Sequence, residues 1–348
     1  MKKIKFSAVF NALVIAVCIF LFFFFIFSKD GLSDLVKESH GIELKWIIAA
    51  LGCHIGNIIV DCVLTWQFAR QKYPDFTFMN GIKTAVTGHF FSAITPSSSG
   101  GQPMQVYCMS KMGIDVGFSS SMLLQKFVVF QIVATLYAAV LFAFKSKFVL
   151  AQINGMFTAW FVMIGFIWQV LVVAAVVLAG IKPTALKKLL RLISPVIRKF
   201  KGEKKTADLL RKIDSKINVF RKSNRSFMKK PGLIALYLTE AVVQITLIYS
   251  VPYFVYKSLI PNGNGSWVTM LCCVAFVTIV SSMIPIPGAS GVSELAFSVF
   301  FGAFFTPATL KSAILIWRTI TYYFTVIVEG PLSMTGEESK KVKAVLKS

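Results

Sequence analysis

The chain has 348 residues, of which 56% are hydrophobic and 15% are charged, and its formal net charge is +22. One soluble core of this size cannot bury so much apolar side-chain surface, so the composition predicts an integral membrane protein and excludes an ordinary soluble domain. The six cysteines lack CxxC or Cys/His spacing. We therefore predict neither a disulfide framework nor a metal site, and no cofactor.

The positive charge is concentrated in residues 181–231, which hold 17 Lys or Arg against three acidic residues, a net of +14. Between spanning helices, such a segment marks the cytoplasmic side and attracts anionic lipid head groups. This distribution argues against a nucleic-acid partner. Apolar residues at helical spacing between 186 and 200 predict an interfacial amphipathic helix, and a solvated linker is the alternative.

The apolar stretches, taken in chain order, predict six spanning helices and two interrupted segments. The first span has no small-residue cleavage site after it, so we expect it to be retained rather than removed as a signal peptide. The predicted spans are 6–27, 46–69, 118–144, 156–180, 232–256 and 310–328, and the interrupted segments are 84–114 and 267–305.

The interrupted segments are too short on either side of the break to cross a bilayer. Only 12 residues, 84–95, precede the first break, and a helix of that length measures about 18 Å against a hydrocarbon core of roughly 30 Å. We therefore predict two re-entrant helical hairpins, each entering and leaving on one face.

The positive-inside rule then fixes an orientation for every predicted element. Both termini lie in the cytoplasm, and the second half, 148–335, is an inverted copy of the first, 1–147, followed by a cytoplasmic tail at 336–348. The predicted fold is an all-α integral membrane protein, with six spans and two re-entrant hairpins arranged as an inverted repeat.

Both breaks have the same sequence form, PxxSG. They are PSSSG at 96–100 and PGASG at 287–291. Because proline removes a backbone donor and glycine weakens a helix, such turns lie at membrane depth only where protein or trapped water satisfies their backbone groups. Interrupted helices at corresponding positions of two halves indicate the central site of a transporter.

Each half also places a cation in the span after its interrupted segment, Lys126 in the first half and Arg318 in the second. A charge within a span costs roughly 2.5–3.5 kcal/mol on insertion scales, so it faces a cavity or a partner. One hypothesis is that both cations bind a lipid phosphate. The alternative is internal ion pairing, of Lys126 with Asp61 and of Arg318 with Glu240 or Glu294.

Hydroxyls and free N–H groups at the starts of the returning helices would complete a phosphate site. Close helix packing is the alternative role for these small residues. The predicted phosphate-binding residues are Ser97, Ser98, Ser99, Gly100, Gly101, Lys126, Ser290, Gly291, Ser293 and Arg318. We predict that Asp61, Glu240 and Glu294 bind a cationic head group or carry a proton. His54 and His89 lie in apolar stretches, and we interpret them as packing residues rather than as a proton relay.

Three motifs carry a resemblance to a known family: TPSSSGGQP at 95–103, IPIPGASGVSE at 284–294 and WRTITYYF at 317–324. They resemble the lysylphosphatidylglycerol synthase transmembrane family, the flippase-like domain of bacterial multiple peptide resistance factors. Family members often carry an acid and a base in a pattern like GGEPxR, whereas this chain has Gln102 and Gln105 at those places. The departure points to a changed head-group preference.

The resemblance implies a translocase that moves aminoacylated or other phospholipids, above all lysylphosphatidylglycerol, between leaflets of the bacterial plasma membrane. Such transport contributes to resistance against cationic antimicrobial peptides. The chain ends shortly after its last predicted span, so we expect no aminoacyl-transferring domain and no enzymatic activity. A separate lipid-aminoacylating enzyme is then an expected partner, and a homodimer is left open.

Three other functions stay open from the sequence. The first is a membrane enzyme that acts on lipid or polyprenyl phosphates, although no metal cluster or Ser/His/Asp set is evident. The second is the membrane part of a lysylphosphatidylglycerol synthase system. The third is an ion-coupled transporter of a soluble solute, for which a lateral opening toward lipid is not expected.

Overall fold

The computed structural model describes residues 42–152, 156–181 and 231–333, together with a few isolated positions between 184 and 211. These residues form helices and turns, and no strand occurs among them. The helices are α1 (Leu44–Arg70), α2 (Phe78–Ile94), α3 (Gly101–Lys111), α4 (Val116–Gln152), α5 (Met156–Ile181), α6 (Pro231–Leu259), α7 (Trp267–Ser282), α8 (Val292–Phe301) and α9 (Pro307–Arg318). The predicted span 6–27, almost all of the basic segment 181–231 and the tail 336–348 lie outside the described residues.

After α9 the chain continues through two π-helical stretches, Thr319–Tyr323 and Thr325–Glu329, into the short helix Gly330–Ser333. We call residues 319–329 the π segment. π-Helical turns inside helices are rare and often occur at functional sites. The π segment packs against α2. The end of the last predicted span, 310–328, therefore contacts the first interrupted segment.

Within the described part of the chain, three helices, α1, α4 and α6, are long and apolar enough to cross a membrane. They keep large apolar side chains on the outside of the protein, and Leu136, Val140 and Phe144 of α4 are 54–76% exposed. A surface of this kind is stable against lipid tails rather than water. The prediction of an all-helical membrane protein is confirmed, while the six spans and their orientation stay predictions.

Helices α1 and α6 run antiparallel and form the most extensive helix contact among the described residues. The rings of Phe68 and Tyr237 stack at 3.9 Å between centroids, and those of Trp46 and Phe254 stack at 5.9 Å at the other end. Gln71 donates a hydrogen bond of 2.7 Å to the Tyr237 hydroxyl. This helix pair carries Asp61, a buried acidic residue of α1 that lines the candidate site described below.

The helix before the first break begins earlier than the sequence predicted. α2 begins at Phe78 rather than at residue 84, because Thr77 caps it by accepting a 3.2 Å hydrogen bond from the N–H of Asn80. Lys83 therefore lies inside the helix and does not mark its start. With 17 residues, α2 measures about 25 Å and is still shorter than a hydrocarbon core of roughly 30 Å.

Each break folds its two helices back on each other. In the first pair Gly88 faces Gln105 and Ser92 faces Gly101, which is an antiparallel register. In the second pair, α7 and α8 pack together, with the rings of Phe276 and Phe300 5.6 Å apart. We call these pairs the first and second hairpins, and we call residues 96–100 and 287–291 the first and second turns.

The two turns share the same backbone conformation over their first three residues. Each begins with a proline, and the next two residues both have positive φ: 51° and 53° at Ser97 and Ser98, and 60° and 46° at Gly288 and Ala289. A residue other than glycine in this region costs roughly 1–2 kcal/mol. The repeated PxxSG sequence therefore corresponds to a repeated and partly strained structure.

The two turns also contact each other, although almost 200 residues of sequence separate them. Tyr322 of the π segment lies across this contact. Its ring fills the space where a side chain at Gly288 would be, and its hydroxyl lies 3.5 Å from the carbonyl oxygen of Ala93. The π segment thus touches both hairpins at the point where they meet.

Replacement of Gly101 by alanine tests the close packing of the first hairpin. The added methyl group would meet Ser92 Oγ and lie 2.7 Å from the carbonyl oxygen of Gly88, so we expect Gly101→Ala to destabilise the protein by about 1–3 kcal/mol. Gly52→Ala is the matched control, because among the described residues no atom outside the local helix backbone lies within 4 Å of its added carbon. Unfolding in detergent by denaturant should separate the two variants, and equal effects would contradict this packing.

Candidate functional site

A cavity of about 240 Å³ lies among α1, α2, α3, α4 and α6. Its polar wall consists of Asp61, His89, Ser92, Gln102, Gln105, Lys126 and Gln244, and most of the rest is apolar, including Leu64, Phe68, Phe127 and Phe130. Ser92 and Gln102 stand on either side of the first turn, so the cavity extends close to that turn. A few converging polar groups in an apolar wall are typical of a ligand site.

The charged pair in this wall joins α1 to α4. Lys126 Nζ lies 2.6 Å from Asp61 Oδ1 and donates a 2.9 Å hydrogen bond to Thr65 Oγ1. Gln244 Nε2 of α6 donates to the same Asp61 oxygen at 3.2 Å. The internal ion pair foreseen for Lys126 is therefore present. A phosphate that enters the cavity must compete with Asp61 for this ammonium group.

His89 of α2 connects this pair to the π segment. Its Nε2 lies 3.4 Å from Asp61 Oδ2, and its Nδ1 lies 3.0 Å from Glu329 Oε2. Thr325 Oγ1 donates a 2.9 Å hydrogen bond to the other oxygen of Glu329. Both ring nitrogens of His89 thus face carboxylates, so its hydrogen-bonding groups are satisfied by charged partners that the sequence did not indicate.

His54 lies on the other side of Glu329, in the interior of the protein. Its Nε2 is 3.9 Å from Glu329 Oε1, and its ring packs edge-on against Phe324. Only 4% of the residue is exposed, and neither ring nitrogen has a hydrogen-bond partner within the described part of the chain. An imidazole buried without partners carries a desolvation cost of about 1–3 kcal/mol for each such group.

A second charged cluster is built on the second turn. Arg318 Nε donates a 2.7 Å hydrogen bond to Glu294 Oε1, and Nη2 donates to the carbonyl oxygen of Gly288 at 2.8 Å and to Ser290 Oγ at 3.3 Å. The guanidinium also lies 4.7 Å from the centre of the Tyr322 ring. Of the two partners foreseen for Arg318, the structure pairs it with Glu294.

Two backbone donors that were predicted to be free are occupied. The N–H of Gly100 donates to Thr95 Oγ1 at 2.9 Å, and that of Gly291 donates to Glu294 Oε2 at 2.6 Å. The prediction of free amides at these two glycines is wrong, because side chains from the same turns already satisfy them. Glu294 thus caps α8 and binds Arg318 at once.

The serines of the two turns differ in what they contact. Ser97, Ser98 and Ser99 are exposed. Ser290 Oγ lies 3.3 Å from the carbonyl oxygen of Pro287, and Ser293 Oγ donates to that of Ala289 at 3.1 Å. The hydroxyls of the first turn are therefore open to a ligand, whereas those of the second turn mainly stabilise the turn.

The structure separates the predicted phosphate site into two parts. Lys126 lines the cavity, whereas Arg318 and the second turn do not line it. Glu240 of α6 lies within electrostatic reach of Lys126 and is also not part of the cavity wall. The two parts are connected through the contact between the turns and through the π segment, which carries both Tyr322 and Glu329.

The sequence did not indicate Glu329 as a site residue, nor the two carboxylates that contact His89. Glu329 directly follows the apolar run 326–328, so its charge resembles the ordinary polar end of a span. The structure buries it instead, with 2% of the residue exposed. The available signal was the glycine and proline after it, which show that the chain turns there and does not simply leave the membrane.

Comparison with known proteins places these features in a family. Residues 9–328 match the family described as the lysylphosphatidylglycerol synthase TM region. The chain is also 24% identical over 293 residues to a protein named UPF0104 membrane protein from Archaeoglobus fulgidus, covering 80% of this chain and 85% of that protein. The match runs through both hairpins, the cavity and the charged clusters up to one residue before Glu329, and the chain belongs to the lysylphosphatidylglycerol synthase TM region family.

Proposed function

We propose that this protein is a phospholipid translocase of the plasma membrane, which moves intact lipid between leaflets without changing it chemically. The contact between the two turns, beside a polar cavity inside an apolar exterior, is the observation that carries the proposal. Broken helices that meet at the interface of two repeats are how many transporters build a central binding site. Here the hairpins would enter from opposite faces and alternate in exposing the head group.

The cavity has the chemistry of a zwitterionic lipid head group. Lys126 is a cation that can bind a phosphate, and Asp61 is an anion that can bind an ammonium group once Lys126 has turned away from it. Asp61 would keep its contacts with His89 and Gln244 during this exchange. Lysylphosphatidylglycerol carries both a phosphate and ammonium groups, so it is the substrate that this exchange of partners fits best.

The size of the cavity also favours a head group over a whole lipid. At about 240 Å³ it is smaller than the pockets of about 300–1,000 Å³ that bury complete drug-sized ligands. The acyl chains would stay in the bilayer, along apolar side chains such as Leu136 and Val140 that face outward. The neutral amides of Gln102 and Gln105 would supply hydrogen bonds to the head group in the cavity.

The Arg318–Glu294 cluster would act as the second binding site for the lipid phosphate during transport. It offers the same pairing of a cation and a carboxylate at the second turn, and its guanidinium can contact two phosphate oxygens at once. A head group leaving Lys126 would pass the contact between the turns and reach Arg318. In this scheme neither cation is ever left without an anion, which keeps the barrier to transport low.

Removal of the Lys126 charge tests the phosphate contact. We expect Lys126→Met to slow lipid exchange at least tenfold in reconstituted liposomes, measured as protection of labelled lipid from an impermeant reagent. Lys126→Met alone leaves Asp61 without its cation, and breaking a buried pair costs about 3–5 kcal/mol in stability. The variant that combines Lys126→Met with Asp61→Asn removes both charges and is the control for this effect.

The proposal expects the combined variant to fold stably and still to exchange lipid slowly. Recovery of wild-type exchange in the combined variant would show that Lys126 serves only to neutralise Asp61, and would contradict the proposed phosphate contact. Mass spectrometry of the lipid after the assay separates transport from catalysis, because a membrane enzyme would return a chemically altered lipid.

Labelling of single cysteines tests whether the hairpins enter from opposite faces. In a variant without the native cysteines, Asp75→Cys and Lys111→Cys flank the first hairpin, and Asn262→Cys and Ala303→Cys flank the second; all four positions are exposed. We expect an impermeant thiol reagent to label the first two only from the cytoplasmic side and the last two only from outside. Labelling of one flank of a hairpin from each side would show that it crosses the membrane completely.

A further inference from the structure

The hydrogen bonds around His89 require one proton more than its neutral form supplies. Its Nδ1 faces Glu329 Oε2 at 3.0 Å, and its Nε2 faces Asp61 Oδ2 at 3.4 Å. A neutral imidazole has one N–H and one lone pair, and an ionised carboxylate can only accept. Both contacts are therefore satisfied only when an additional proton lies on the second ring nitrogen or on one of the two carboxyl groups.

The charges of the residues in contact with His89 also indicate one additional proton. Asp61 and Glu329 are both buried, with 4% and 2% of each residue exposed, and among the described residues Lys126 is the single permanent cation in contact with them. Two carboxylates and one ammonium group leave a net charge of −1 in the interior. The additional proton makes the cluster neutral, which removes most of the cost of burying it.

The other titratable groups around the cluster come from α1 and α6. The Cys62 thiol of α1 lies within electrostatic reach of both Asp61 and Glu329, and Glu240 of α6 lies beyond Lys126. Neither adds a positive charge. His54 of α1 can add one by taking up a proton, because neither of its nitrogens has a hydrogen-bond partner among the residues that the structure describes and Nε2 lies 3.9 Å from Glu329 Oε1.

His54 thus continues the row of proton-binding groups beyond Glu329. A small movement of the π segment would bring the Glu329 carboxyl within hydrogen-bond distance of the His54 ring. The row then runs from Asp61 in the cavity wall through His89 and Glu329 to His54. It starts at the proposed lipid site and ends at a buried base that is otherwise unused.

We propose that Asp61, His89 and Glu329 hold one exchangeable proton, and that its binding and release are coupled to lipid transport. The coupling half of this inference rests on the proposed function. Asp61 belongs to both sites, so a phosphate that takes Lys126 away leaves Asp61 to hold the proton more tightly. A cationic head group on Asp61 has the opposite effect. Such linkage is reciprocal, so a proton gradient would in turn bias the lipid.

The position of Glu329 would couple this proton to movement of the π segment. Glu329 ends the π segment, whose Tyr322 contacts the second turn at Gly288 and the end of α2 at Ala93. When the proton leaves, repulsion between the His89 lone pair and a carboxylate weakens the link between α2 and the π segment. Loss of this link would loosen the contact between the two hairpins, which is the movement that the translocase requires.

The variant Glu329→Gln tests the proton site while keeping its hydrogen bonds. The new amide oxygen can accept from Thr325, and its NH₂ group can donate to His89 Nδ1, so the cluster is complete without the additional proton. With one proton per lipid, a gradient of one pH unit can sustain a lipid asymmetry of up to about tenfold. We expect the wild type to build such an asymmetry and Glu329→Gln to build none, whatever its exchange rate without a gradient.

Glu294→Gln is the matched control, because it makes the same chemical change in the second charged cluster. We expect it to slow exchange but to keep the ratio between exchange with and without a gradient. A pH-sensitive dye inside the liposomes should report proton entry with the lipid in the wild type and no proton entry in Glu329→Gln. A wild type that moves lipid but neither responds to the gradient nor carries protons would overturn the coupling and leave the proposed function standing.

Nitrogen NMR of histidine-labelled protein in detergent tests the proton site without any transport. The chain has three histidines, so single variants assign the signals. We expect His89 in the wild type to carry a proton on both ring nitrogens, or one shared with a carboxyl, and to carry it only on Nε2 in Glu329→Gln. A wild-type His89 that is neutral, with both carboxyl groups shown by infrared spectroscopy to be ionised, would overturn the site even if the liposomes move lipid.

Discussion

The pairing of buried charges is the constraint on which the interior of this protein depends. Lys126 and Arg318 are each held by a carboxylate of the same half of the chain, Asp61 and Glu294. Unpaired, either charge would be very costly in a membrane, whereas each pair in contact with further hydrogen-bond donors is tolerated. The pairs therefore fix where α1, α4, the second turn and α9 lie relative to one another.

In the proposed function, the same pairs would bind the charged groups of a lipid. A lipid head group with both charges could open such an ion pair. Its phosphate would replace the carboxylate beside the protein's cation, and its ammonium group would replace that cation beside the carboxylate. The contact between the two turns brings the second turn, which holds the Arg318–Glu294 pair, next to the first turn, which lies beside the cavity of the Lys126–Asp61 pair. The π segment carries both Tyr322, which lies at the contact between the turns, and Glu329, which contacts His89, so the proposed lipid site and the proposed proton site would share residues.

The sequence allowed the turns and the ion pairs to be predicted because their causes are local. Proline and glycine dictate where a helix breaks, and a charge in an apolar segment must have a partner, so Asp61 and Glu294 were on a short list of acids. The pairing of His89 with Glu329 could not be predicted, because the two residues are 240 positions apart and only the fold brings them together. The predicted start of the first interrupted segment at residue 84 was too late, because the Thr77 cap decides where α2 begins. Likewise, the occupied amides of Gly100 and Gly291 depend on side-chain conformations that a pattern does not specify.

Photo-crosslinking with a lipid that carries a reactive group beside its phosphate measures most directly whether the head group enters the cavity. The expected adducts lie on the cavity wall near Lys126, at Leu64 or Phe127, and they should disappear when Lys126 is replaced by methionine. Adducts confined to the outer face of α4, at Leu136 or Phe144, and unchanged by that replacement would show that the lipid only surrounds the protein and is not bound inside it.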